Sequence, residues 1–147
     1  MRSTIVRFVD TNVLLYAISR DPDEVAKARR ANKILASGDL GLSVQVLQEF
    51  YVQATRRSRP DAISHEQASG LVDAWRRFPI QDLTVEIMAA AFEVRHRFGI
   101  SYWDAAIIEA SRALGCTVVL SEDLDATTDY GGIRVEDPFS GLPDPTG

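Results

Sequence analysis

A single cysteine, Cys116, in 147 residues excludes an internal disulfide framework and fits a chain kept under reducing conditions. Lysine is almost as scarce. Of sixteen basic residues only Lys27 and Lys33 are lysines, set against twenty-one acids. The net charge of −5 and the pI near 5.0 argue against a protein that coats nucleic acid through a broad basic surface. They leave room for an enzyme that cuts it, because metal-assisted phosphodiester hydrolysis is carried out by acidic sites. The two histidines, His65 and His96, stand alone, without the spacing of a zinc site. No apolar run approaches the roughly 20 residues of a membrane span. The stretch Met1–Arg7 carries charges inside its short apolar run and has no cleavage motif, so it is not expected to be a signal peptide, and a cytoplasmic location is expected.

Several catalytic templates are missing as well. There is no Gly-x-Ser-x-Gly elbow, no Walker-type loop and no Gly-x-Gly-x-x-Gly turn. A phosphate-accepting receiver would want a lysine after a late strand, and none lies beyond position 33. An aspartyl-phosphate enzyme would want an acid two places after Asp10, where Asn12 stands.

What is present is one domain's worth of alternating strands and helices. Ile5–Val9 is a short β-branched run that stops at the turn-forming Asp10-Thr11-Asn12. Val13–Ile18 reads as a short helix, and Pro22–Ser37 as a longer one. Leu40-Gly41-Leu42 is a buried strand, and Ser43 caps a helix with Leu47, Phe50, Tyr51 and Ala54 on one stripe. Ser64 opens the next helix, Phe78–Gln81 is a strand, and Thr84 caps a helix that Gly99 ends. Ser101 starts a helix running to Gly115; Thr117–Leu120 and Ile133–Val135 are the last strands. The alternation implies an α/β domain with a mostly parallel sheet flanked by helices on both faces, spanning 1–139, with 140–147 expected to fray.

Ligands gather beyond the carboxyl ends of parallel strands. Asp10 and the group Ser121-Glu122-Asp123 stand at such ends, while Glu49 and Asp104 lie in helices. Carboxylates meeting at one mouth repel each other unless a cation sits among them. Oxygen ligands without histidine or cysteine point to Mg²⁺, or Mn²⁺. Plainer roles compete. Asp10 suits an Asx-turn, Asp104 completes a Ser-x-x-Asp capping box with Ser101, and Glu49 falls opposite the apolar stripe of its helix. Spacing does not decide among Glu122, Asp123 and Asp125. Arginine is the better bidentate partner for phosphate, so Arg56 and Arg57, in the cluster Arg56-Arg57-x-Arg59, are candidate RNA contacts; solvated helix faces are the plainer reading.

Four segments, taken together, resemble the PIN-domain ribonucleases, and more narrowly the VapC-like toxins of bacterial toxin–antitoxin pairs. They are Phe8–Leu14, Ser43–Tyr51, Ile100–Ile107 and Leu120–Leu124, in matching order and spacing. The resemblance implies that Asp10, Glu49, Asp104 and Asp123 are the catalytic acids and metal ligands, with Thr11, Asn12 and Ser121 supporting them. It turns Glu49 towards the pocket, which helical periodicity does not. It further implies Mg²⁺-dependent RNA cleavage, a homodimer, and a small cognate antitoxin that blocks the site. Asp137-Pro138-Phe139 looks like the family's closing segment, although asparagine is more usual at its first position. A PIN-like nuclease of RNA processing or DNA cleavage, and a catalytically idle binding module, are the alternatives.

Overall fold

The computed structural model describes residues 5–143. The β-branched run near the start forms β1 (Arg7–Val9), whose Phe8 and Val9 are fully buried. Asp10 does not sit in a free turn after it. It is the N-cap of α1 (Thr11–Ala17), so Thr11 and Asn12 are the helix's first residues rather than a loop. Asp21 caps a single 3₁₀ turn, Pro22–Glu24, that leads into α2 (Val25–Leu35); the proline sets this tighter first turn, and α2 begins three residues later than expected.

β2 (Leu40–Ser43) is buried at every residue, and Ser43 then caps α3 (Val44–Ala54) through Val46 N–H. Ser64 and Gln67 form both halves of a capping box on α4 (His65–Trp75). The expected strand Phe78–Gln81 shortens to β3 (Ile80–Gln81), because Pro79 has no N–H to give the ladder and offers only its carbonyl, to Leu42 N–H. Thr84 caps α5 (Val85–Phe98), Ser101 caps α6 (Tyr102–Ala113), and β4 (Val118–Leu120) and β5 (Arg134–Glu136) complete the sheet. The expected fraying concerns 140–147, of which 144–147 lie outside the described residues. Leu142 packs against the core.

All five strands are parallel, in the order β3-β2-β1-β4-β5. From β1 the chain winds outwards to β2 and β3, then returns across the sheet to β4. Right-handed crossovers in opposite directions place their helices on opposite faces. The packing agrees: α1 lies on α2 and α3, and α3 on α4, while α5 pairs with α6. Phe8, Val9, Leu42, Val46, Phe50, Ile108 and Val119 make a dry centre, and the Phe50 and Trp75 rings meet edge-on at 4.7 Å. The direction of winding switches between β1 and β4, where open sheets leave a crevice for a ligand.

The connection that aims α6 at that crevice is short. Gly99 takes a left-handed conformation, φ +69°, and its N–H closes α5 on the Arg95 carbonyl at 2.9 Å. A Cβ at Gly99 would meet nothing within 4 Å, so the position is selected by backbone alone. Gly99→Ala is expected to lower stability by about 1 kcal/mol. Urea unfolding should show a reduced midpoint with an unchanged m-value; an unaltered midpoint would contradict this account of the α5–α6 corner.

Candidate active site

Main-chain pairing brings the first two expected residues together. Val9 pairs with Leu120, and Asp10 N–H donates to the Leu120 carbonyl at 3.0 Å. Asp10 and Ser121 therefore leave adjacent strands side by side, 111 positions apart in the chain. The Ser121 hydroxyl donates to Asp10 Oδ2 at 2.7 Å, and Thr11 N–H donates to Oδ1 at 2.7 Å. Ser121 is fully buried and organises its own loop too, accepting from Asp123 N–H at 3.1 Å and Leu124 N–H at 3.3 Å.

Glu49 reaches this group from α3. Its carboxylate accepts from the Thr11 hydroxyl at 2.9 Å and from Gln45 Nε2 at 3.0 Å. Gln45 is 6% exposed and also donates to the Trp103 carbonyl at 3.2 Å, so it ties α3 to the first turn of α6. This buried glutamine accounts for Glu49 being half-buried despite lying off the apolar stripe: it holds Glu49 and joins that flank of α3 to the first turn of α6. Asp104 stands in the first turn of α6, where its N–H donates to the Ser101 hydroxyl at 3.1 Å. The capping interaction foreseen from Ser-x-x-Asp is present on the main-chain side, which does not occupy the carboxylate in full.

Among the three acids after β4 the hydrogen bonds discriminate. Asp123 Oδ2 accepts from Asn12 Nδ2 at 3.0 Å, facing the Asp10 side. Glu122 turns away onto Lys27, 2.8 Å from its Nζ. Asp125 is consumed by its own loop, accepting from Thr127 and Thr128.

Electrostatics bind the four acids into one group. Burial raises the Asp10 carboxyl to about 6; the Ser121 and Thr11 hydrogen bonds oppose the rise, and the charges of Glu49 and Asp104 add to it. Burial also raises Asp104, opposed by Ser101 and reinforced by Asp123 and Glu49. None of Asp10, Glu49, Asp104 and Asp123 has a basic partner among the described ion pairs. Yet among the described residues no three of these groups close into one metal-binding set. The carboxylates are held instead in pairs with hydroxyl and amide donors.

The fit to a hard divalent cation rests on donor chemistry. Every candidate ligand is oxygen, a buried carboxylate lacks a counter-charge, and Asn12 Oδ1 is a buried acceptor with no donor. Beside it lies a pocket of about 210 Å³ lined by Asn12, Tyr16, Glu24, Arg59, Glu122 and Asp123. Arg56 and Arg57 are exposed in the turn after α3 and do not line it, whereas Arg59 of the same cluster does. A larger apolar groove of about 920 Å³, along Leu47, Tyr51, Val72 and Ile80, contains none of the four acids.

Residues 7–128 match the family model of the PIN domain. The chain belongs to the PIN-domain family. No curated protein matches it in sequence comparison. Solved structures resemble it at the level of fold. A Mycobacterium tuberculosis VapC20, described as a sarcin–ricin loop cleaving toxin, is 21% identical with a TM-score of 0.61, over 80% of this chain and 89% of that one. A toxin–antitoxin complex from Klebsiella pneumoniae is 20% identical, TM-score 0.65, over 90% and 97%. DNA-bound VapBC from Salmonella typhimurium is 19% identical, TM-score 0.63, over 92% and 99%. This PIN domain has no described helix long and apolar enough to cross a membrane.

The raised carboxyl of Asp10 has a stability consequence with a definite sign. Unfolded, the group ionises near 3.8; folded, near 6. Between these values the unfolded state has lost its proton while the folded state keeps it, so stability falls as pH rises through the window and levels off above 6. Asp10→Asn removes this loss. In the metal-free protein the variant is expected to match the parent near pH 4 and to exceed it by roughly 2–3 kcal/mol above pH 6. Denaturant titrations at the two pH values check it; an equal difference at both would show that Asp10 is ionised throughout.

Proposed function

We propose that this PIN domain is a Mg²⁺- or Mn²⁺-dependent endoribonuclease, the toxin of a toxin–antitoxin pair, with Asp10, Glu49, Asp104 and Asp123 as its metal-site acids. The observation that carries the reading is the mutual charge of these four carboxylates without a basic partner, one of them buried, at the switch point of a parallel sheet. Such a group is unfavourable in isolation and becomes favourable around a cation.

A bound divalent ion would supply Lewis acidity and charge neutralisation for in-line attack on a phosphodiester. The chain's own residues do the rest. Ser121 and Thr11 N–H fix the two oxygens of Asp10, the Thr11 hydroxyl and Gln45 fix those of Glu49, and Asn12 orients Asp123. Three of the four acids are thereby aimed before substrate arrives, which lowers the cost of assembling the site. The exposed Arg56 and Arg57 are the phosphate contacts available to draw RNA against an unfavourable net charge, whereas Arg59, beside the neighbouring pocket, is paired with Asp61 at 2.9 Å.

RNA as the substrate class is supported by the family and by the likeness to a toxin described as cleaving the sarcin–ricin loop. A cognate antitoxin is supported by the likeness to toxin–antitoxin complexes. A homodimer and a cytoplasmic setting belong to the same reading, as does the 1–139 extent of the domain.

Three experiments test the proposal. Millimolar Mg²⁺ or Mn²⁺ should raise the melting temperature of the parent relative to EDTA, since a site at one hundred times its Kd adds about 2.7 kcal/mol. Asp104→Asn should abolish both that shift and RNA cleavage while leaving the metal-free protein at least as stable as the parent. Active but destabilised Asp104→Asn would mean that Asp104 is only a helix cap, and the metal assignment would fall. Replacing Arg56 and Arg57 by alanine should flatten the salt dependence of RNA binding, by about one unit of slope for each phosphate that is no longer neutralised; an unchanged slope places the pair off the RNA path.

A further inference from the structure

Glu122 and Asp123 are neighbours with the same charge that line the same small pocket, yet they take different hydrogen-bond partners. Asp123 turns to Asn12 and the candidate site. Glu122 accepts a hydrogen bond from the Tyr16 hydroxyl and another from Lys27 Nζ at 2.8 Å. Lys27 also donates to the Tyr16 hydroxyl at 3.2 Å and lies over two aromatic faces, 4.7 Å from the Tyr16 ring centre and 5.7 Å from that of Phe139. The two rings themselves meet edge-on at 4.8 Å. Four distant segments (α1, α2, the β4 exit and the stretch after β5) thus converge on one cation.

We propose that Lys27 and Tyr16 form a clamp on Glu122 that selects Asp123 as the acid presented to the metal site. Lys27, Tyr16 and Glu122 are positioning residues, acting through Asp123, and the inference rests on the metal reading above. Two forces act on the loop. Asp104 feels the negative charge of Asp123, so the mouth repels what it needs to hold. A freed Glu122, one residue away, would compete for the same cation. The clamp opposes both by holding Glu122 in charge-assisted hydrogen bonds to Lys27 and Tyr16.

The magnitude of the ion pair favours a positioning role over a stabilising one. Its side chains are 34% and 25% exposed, and pairs so open to water add little to global stability. A merely structural pair would therefore leave metal binding untouched when removed. A positioning pair would alter metal affinity at nearly constant stability.

The experiment uses the full chain and MnCl₂ as the probe, reading the concentration that gives half of the maximal thermal shift. Lys27→Met keeps the stem over both rings and removes the charge. We expect the metal-free melting temperature to change little and the half-point to rise roughly ten-fold, the lower range for residues that support metal ligands. Lys27→Arg should stay near the parent. Adding Glu122→Gln to Lys27→Met should restore the half-point, because the freed competitor is no longer charged. A parental half-point in folded Lys27→Met overturns the clamp and leaves the metal reading intact. So does failure of Glu122→Gln to rescue. A parent that shows no thermal shift with MnCl₂ overturns the metal reading itself, and the clamp with it.

Discussion

The parallel pairing of β1 with β4 is the constraint on which the mouth depends. It sets Asp10 and Ser121 on adjoining strand ends, and from that single juxtaposition the other contacts propagate. Thr11 follows Asp10 into α1 and reaches Glu49. Asn12, one residue on, reaches Asp123, whose loop is folded around the Ser121 hydroxyl. A buried serine with several hydrogen bonds is therefore as much a part of the site as the acids it arranges. Shifting β4 by one residue would turn Ser121 to the opposite face and dissolve the arrangement.

Much of this was legible in the chain. The β-branched runs at Ile5–Val9 and Thr117–Leu120, and the caps Ser43, Ser64, Thr84 and Ser101, carry local signals that tertiary packing does not override. Boundaries failed where one residue changes the backbone rules: Pro22 delays α2, and Pro79 truncates β3. Asp10-Thr11-Asn12 looked like a turn because its residues favour turns and helix starts alike. Its role as a helix start follows from α1 packing against α2 and α3, which no local window contains.

The site was legible unevenly. Asp10 and the β4 exit follow from the rule that ligands collect beyond parallel strands, without any family comparison. Glu49 did not, because its inward flank depends on Gln45 bridging to the Trp103 carbonyl, 58 positions away. Family likeness supplied that orientation. Spacing does not separate Asp123 from Glu122 and Asp125; their hydrogen bonds do, since Glu122 is held by Lys27, 95 positions away, and Asp123 by Asn12. Among the arginines, residue type singles out a cluster, and the fold separates Arg59, beside the pocket, from the exposed Arg56 and Arg57.

The order of the strands also bears on synthesis. β1 leads the described strands out of the ribosome and ends in the middle of the sheet, with one flank open until β4 arrives. Asp10 consequently waits for Ser121, 111 positions later in the chain, for the hydrogen bond that fixes its Oδ2. Late closure of the sheet leaves the candidate site unassembled until β4 has been translated.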